Sequence, residues 1–231
     1  MTKISEKFLL LTALLLLLPL MCWGQKRIYT KSFQIQDFKS KTTKVVLDGS
    51  PALKSSLRQE ITSFWTISPY EFCTRAEFEK QKNSPDCYFL YPETDKGIIY
   101  LTLSRGGDSS AANAYKLPVT VISFPIAGEK DPNGYETVYM PAYIALLQDF
   151  VDSALTSEYV AYTGLRAICA KKSKSTREIT DPAEAAEAFI SQYPDSASTI
   201  IITPDGNPKS KPRYTLLIDS STYELYSYAK H

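Results

Sequence analysis

The chain has a single histidine, and it is the last residue, His231. A Ser-His-Asp or Cys-His machine needs an imidazole to carry the proton between nucleophile and leaving group. An imidazole at a chain end is expected to fray, so no such triad is expected here. The same count argues against a His-rich metal site. The four cysteines are Cys22, Cys73, Cys87 and Cys169. They form no CxxC pair, the spacing of zinc ribbons and thioredoxin-type redox sites. There is no GxGxxG or GxxxxGK[ST] stretch to cradle a phosphate. No cofactor and no metal are expected.

Carboxylate chemistry stays open. A glycosidase needs two acids a fixed distance apart, and 25 acidic residues offer candidates without showing which converge. Asp108, in the loop Arg105-Gly106-Gly107-Asp108, is one ligand-binding candidate, against the plainer reading of a flexible surface loop. Asp131 and Asn133 lack EF-hand spacing, and a turn explains them better than calcium. The unusual excess is aromatic, with 16 Tyr, 10 Phe and 2 Trp. In the last predicted strand, two-residue alternation puts Tyr226 and Tyr228 on one face and Tyr223 on the other. Exposed, Tyr226 and Tyr228 would stack on sugar rings or a partner surface. The plainer reading is that tyrosine fills a half-buried strand face.

The start of the chain reads as an address. Lys3 and Lys7 precede the apolar run Phe8–Met21, which is shorter than the about 20 residues of a membrane-spanning helix and suits a secretory signal. Cys22-Trp23-Gly24 then sets small residues three before and one before Gln25. Residues 1–24 are therefore expected to be a signal peptide cleaved between Gly24 and Gln25. Two other readings are an uncleaved anchor and a lipid anchor at Cys22, the latter weakened by Met21 where a small residue is needed. Removing Lys3, Lys7 and Glu6 leaves equal numbers of basic and acidic residues. A neutral, exported chain gives no reason to expect a nucleic-acid partner. The basic run Lys171, Lys172, Lys174 and Arg177 reads as a solvated helix end.

The elements behind these residues follow from pattern. Residues 44–48 form a β-branched run ending at Gly49. Ser50-Pro51 is a cap and first helical residue, and Leu53, Leu57, Ile61, Phe64 and Trp65 make one apolar stripe over 51–65. Strands are predicted at 66–73, 87–91, 96–104 and 117–126, with a short helix at 75–82. The turn at 131–134 leads to a short strand at 135–139. A helix follows Pro141, apolar periodicity returns over 159–169, and Asp181-Pro182 opens a helix to about Tyr193. A strand at 199–203 and a hairpin of 213–219 with 222–229 close the chain. Cys73 ends one strand and Cys87 begins the next. If those strands are parallel, the two thiols lie at opposite edges of the sheet, beyond the about 7 Å a disulfide permits. Buried, unpaired thiols are expected, and an antiparallel arrangement would reopen the question. A catalytic cysteine would need a basic neighbour to lower its pKa, and Arg75 stands near Cys73.

The expected fold is α/β or α+β, a single domain over 25–231 with a mixed β-sheet and packed helices. Residues 25–43 form an N-terminal arm, extended or an edge strand. The stretch Lys44–Tyr91 resembles small exported α/β proteins of Bacteroidetes, and its element order is loosely similar to that of curli-secretion-type lipoprotein domains. The resemblance rests on layout and implies no site residues. The expected function is a non-enzymatic binding or scaffolding protein of the cell envelope, periplasmic or secreted. Its expected partner is an envelope protein or glycan, with no membrane span after signal cleavage. Two alternatives stand beside it, a carboxylate-dependent hydrolase and a glycan-binding module using exposed tyrosines.

Overall fold

The computed structural model describes residues 35–107, 118–131, 133–157, 161, 196–207, 209–211 and 213–231. A short 3-10 turn at Phe38–Ser40 leads into β1 (Thr42–Val46), then α1 (Pro51–Phe64), β2 (Tyr70–Cys73), α2 (Arg75–Gln81) and β3 (Cys87–Asp95). There follow β4 (Ile98–Arg105), β5 (Val119–Gly128), the single helical turn α3 (Tyr135–Val138), α4 (Met140–Thr156), β6 (Ala197–Ile202), β7 (Tyr214–Asp219) and β8 (Leu225–Lys230). The architecture is α/β, with a mixed five-stranded sheet in the order β2-β1-β3-β4-β5 and an antiparallel three-stranded sheet β6-β7-β8. β1 runs parallel to both β2 and β3, and β3, β4 and β5 are antiparallel.

Register explains the core. Phe72, Val45, Leu90, Leu103 and Ile122 pair in succession across all five strands. With a side-chain period of two, that row faces one way throughout. It packs in the same cluster as Leu53, Leu57 and Ile61 of α1 and Leu147 and Val151 of α4. The Ser50 hydroxyl accepts from the Leu53 N–H at 3.1 Å, and Pro51 opens α1 as the sequence suggests. The opposite sheet face carries Val46, Cys73 and Phe89, covered by Phe78 of α2. The Thr74 hydroxyl and Glu77 carboxylate cap α2 reciprocally, which satisfies two orphan N–H groups.

Four expectations are corrected. Residues 135–139 are not a strand. Gly134 is left-handed (φ +66°) and turns the chain into α3, whose Tyr135 and Tyr139 lie one helical turn apart with ring centroids at 5.8 Å. The predicted strand from Lys96 begins two residues later, because Lys96 and Gly97 both take positive φ (53° and 74°). They form the two-residue primed turn that joins twisted strands. The strand expected over 66–73 is confined to its last four residues, since Trp65 Nε1 donates to the Ser68 carbonyl and holds the chain in a bend. The described end of the arm is not extended. Ile35 and Phe38 are buried, and the Phe38 ring meets Tyr88 edge-on at 4.7 Å. The predicted signal peptide, the residues 25–34 and 181–193, and all but Ala161 of 159–169 lie outside the described residues. Among the described residues, no helix is long and apolar enough to cross a membrane.

Candidate functional site

Tyr226 and Tyr228 do not form an exposed aromatic row. Tyr228 pairs with the core residue Leu216, is 5% exposed, and stacks on Tyr214 at 6.0 Å. It has no free ring face for a sugar. The register of β7 and β8 then shifts between Leu217 and Ile218, leaving Tyr226 opposite no β7 residue. A bulge of this kind re-aims a side chain. The half-buried Tyr226 sends its hydroxyl to Asp219 Oδ2 at 2.9 Å. Tyr223, left-handed at φ +63°, meets the exposed Phe64 edge-on at 6.1 Å and 85°. Those perpendicular rings are not a coplanar platform.

Asp219 organises the hairpin. Its carboxylate accepts from the Ser221 hydroxyl at 2.6 Å, Ser196 Oγ at 2.7 Å and the backbone N–H groups of Ser221 and Thr222 at 2.7 and 2.9 Å. These donors, the Ser221 and Ser196 hydroxyls foremost, hold its pKa well below the usual carboxylate range. A depressed folded value means that its stabilising contribution is present above the unfolded value near 4 and is lost as pH falls toward the folded one. Asp219→Asn is therefore expected to lower the urea midpoint clearly at pH 7 and by less at pH 3, with amides 220–222 losing exchange protection. An equal shift at both pH values would contradict this role.

Asp108 lies outside the described residues, but the loop leading to it is not a free surface. Gly106 and Gly107 are buried, and their N–H groups donate to the carbonyls of Cys87 and Lys82 at 3.0 Å each. Arg105 reaches Asp37 Oδ2 at 3.4 Å, and Tyr88 donates to Asp37 Oδ1 at 2.6 Å. Partial desolvation opposes ionisation of Asp37, yet the Tyr88 hydroxyl, Lys41 and Arg105 together hold its pKa below the ordinary value. This group ties the arm to the sheet.

The thiols behave as the parallel arrangement requires. β1 lies between β2 and β3, with Val46 opposite Cys73 and Thr42 opposite Cys87. Two strand spacings separate them by roughly 10 Å, before the offset along the strands is added. Both are free cysteines. The cation facing them is Lys44 rather than Arg75, and it is already paired with Glu71. Burial outweighs it and pushes the Cys73 thiol up to about 11, so the thiolate needed for nucleophilic chemistry is scarce at neutral pH.

The remaining groups stand apart. His231 is not frayed, since its N–H donates to the Arg213 carbonyl at 2.9 Å and its ring lies 3.0 Å from Thr215 Oγ1. Asp131 Oδ1 accepts from the Asn133 N–H at 2.9 Å, which is the plain turn. Among the described residues, Asp149 is the carboxyl raised above its ordinary value, by partial desolvation and by neighbouring Asp152. Its neighbour also binds Lys39, at 2.7 Å.

An open edge was not anticipated. β2 borders the first sheet. The Thr43 N–H donates to the Pro69 carbonyl and the Leu47 N–H to the Cys73 carbonyl, so in a parallel ladder Glu71 and Cys73 turn their backbone groups toward β1. Tyr70 and Phe72 turn theirs outward. Their half-buried rings lie 5.6 Å apart, on the α1 side, and the Arg58 guanidinium lies 4.4 Å from the Phe72 ring centre. The alternation Tyr-Glu-Phe-Cys was a sequence signal for a strand but not for its place at the border. Compared with known proteins, the chain matches no family model, no curated protein and no solved structure.

Proposed function

We propose that the protein is an exported cell-envelope protein that binds or scaffolds a partner rather than turning over a substrate. The observation that carries this reading is the border strand β2, whose outward N–H and C=O groups of Tyr70 and Phe72 stand beside two half-buried rings. An extended segment adds to such an edge through main-chain hydrogen bonds, while alternate side chains give selectivity. The apolar run before Gln25 supports export. A glycan platform has less support, because Tyr228 is core and the Phe64–Tyr223 rings are perpendicular. The test is fractionation of the native host with N-terminal sequencing, followed by incubation of the purified protein with envelope glycans and peptides. The expected result is an envelope protein beginning at Gln25, or acylated at Cys22, with no product formed. Recovery from the cytoplasm with residues 1–24 intact, or measurable hydrolysis, would overturn the reading.

A further inference from the structure

We infer that β2 selects an extended, acidic segment of a partner protein, a specification that rests on the binding reading above. Two residues, Tyr70 and Phe72, offer four outward backbone groups, and no partner among the described residues meets them.

Selectivity comes from the α1 side of the edge. Arg58 is exposed on α1, and its guanidinium lies over Phe72. No carboxylate among the described residues pairs with it. Its neighbours differ: Lys44 is bound by Glu71, Arg75 by Glu79 at 2.7 Å, and Lys41 by Asp37 at 3.2 Å. A strand laid beside β2 places every second side chain next to Tyr70, Phe72 and Arg58. A carboxylate there gains a partner already fixed by its ring contact. On the other face the incoming side chains meet Glu71, whose charge Lys44 balances, so that face favours neither sign.

A second copy of this chain fits less well. Antiparallel pairing of two β2 edges has its two-fold axis perpendicular to the sheet, so both α1 helices fall on one side. The two Arg58 guanidinium groups would then approach the same seam, and like charges there are unfavourable.

The probe is the octapeptide fluoresceinyl-Thr-Asp-Thr-Val-Thr-Asp-Thr-Val-amide, labelled at its N-terminus, with versions carrying Lys or Ser in place of both Asp. Fluorescence anisotropy with the mature protein is expected to show the Asp peptide binding about fivefold to tenfold tighter than the Lys peptide, the size of one surface pairing gained and one repulsion avoided. Arg58→Glu should reverse that order. Tyr70→Pro removes an outward donor while leaving the β1 ladder intact, and it should weaken all three peptides together. Hydrogen exchange should slow at the Tyr70 and Phe72 amides on adding peptide. Circular dichroism checks that both variants remain folded. Equal affinity for the three peptides would overturn the acidic preference and leave strand addition standing. No binding by any peptide would overturn strand addition at β2 itself. Protection of Tyr70 and Phe72 that grows with protein concentration in the absence of peptide would assign the edge to a second copy, against this inference.

Discussion

Gly128→Ala is expected to destabilise the protein by about 2–3 kcal/mol, the upper part of the range for forced overpacking. Gly128 ends β5, and a Cβ there would lie 1.8 Å from the Thr203 carbonyl oxygen and 2.9 Å from its carbon. The obstacle is backbone, so no rotamer change relieves it. The same junction carries the hydrogen bonds from Lys130 N–H to the Pro204 carbonyl at 2.9 Å and from Glu129 N–H to the Gly97 carbonyl at 2.8 Å. Moving Thr203 away to make room therefore disturbs the seam between the two sheets. Urea unfolding of the mature chain measures the loss. A change below about 0.5 kcal/mol, the ordinary surface level, would show that the seam gives way freely. Gly134→Ala is the comparison. Its nearest contact is a mild 3.5 Å, so only the cost of a left-handed alanine, about 1 kcal/mol, is expected.

Phe124→Ala is expected to cost about 3–5 kcal/mol, as for other large-to-small changes at buried aromatics. Phe124 lies on β5 and is 4% exposed. Its ring meets Tyr143 of α4 at 6.0 Å and Tyr228 of β8 at 5.4 Å. One side chain thus joins the first sheet, the helix over it and the second sheet. Removing it leaves a cavity shared by all three, so the whole described fold should lose stability in one step. Far-ultraviolet circular dichroism and tyrosine fluorescence should report coincident transitions, shifted to lower urea. Two separated transitions would mean that the three-stranded sheet unfolds on its own.

Much of the fold was legible because its signals are local. Ser50-Pro51 with the stripe from Leu53 to Ile61 specified α1, and Pro141 opened the way to α4. Tyr135–Tyr139 misled because aromatic residues suit a strand, and only the left-handed Gly134 decides otherwise. The insertion of β1 between β2 and β3 is a long-range pairing that no residue spacing announces, and with it the border position of Tyr70 and Phe72 was hidden. Perfect alternation also failed at the last strand. The bulge that carries Tyr226 to Asp219 separates two tyrosines that counting by two had placed together. Arg58 carries no signal of its own in the sequence, and only the packing of α1 beside β2 sets it over Phe72.

The position of β1 between β2 and β3 has a consequence for the order of folding. Strands β3, β4 and β5 are successive neighbours joined by antiparallel pairing, so their contacts close over short stretches of chain. β1 instead pairs on one side with β2, 27 residues downstream, and on the other with β3, 45 residues downstream. Non-local pairing of this kind forms late. A chain made from its N-terminus therefore presents Thr42–Val46, with the apolar stripe of α1 behind it, well before the strand that will receive it exists. During that interval the sticky part of the molecule is its first sheet strand, and slowing synthesis or transfer between residues 73 and 87 should lengthen the time its second side waits unpaired.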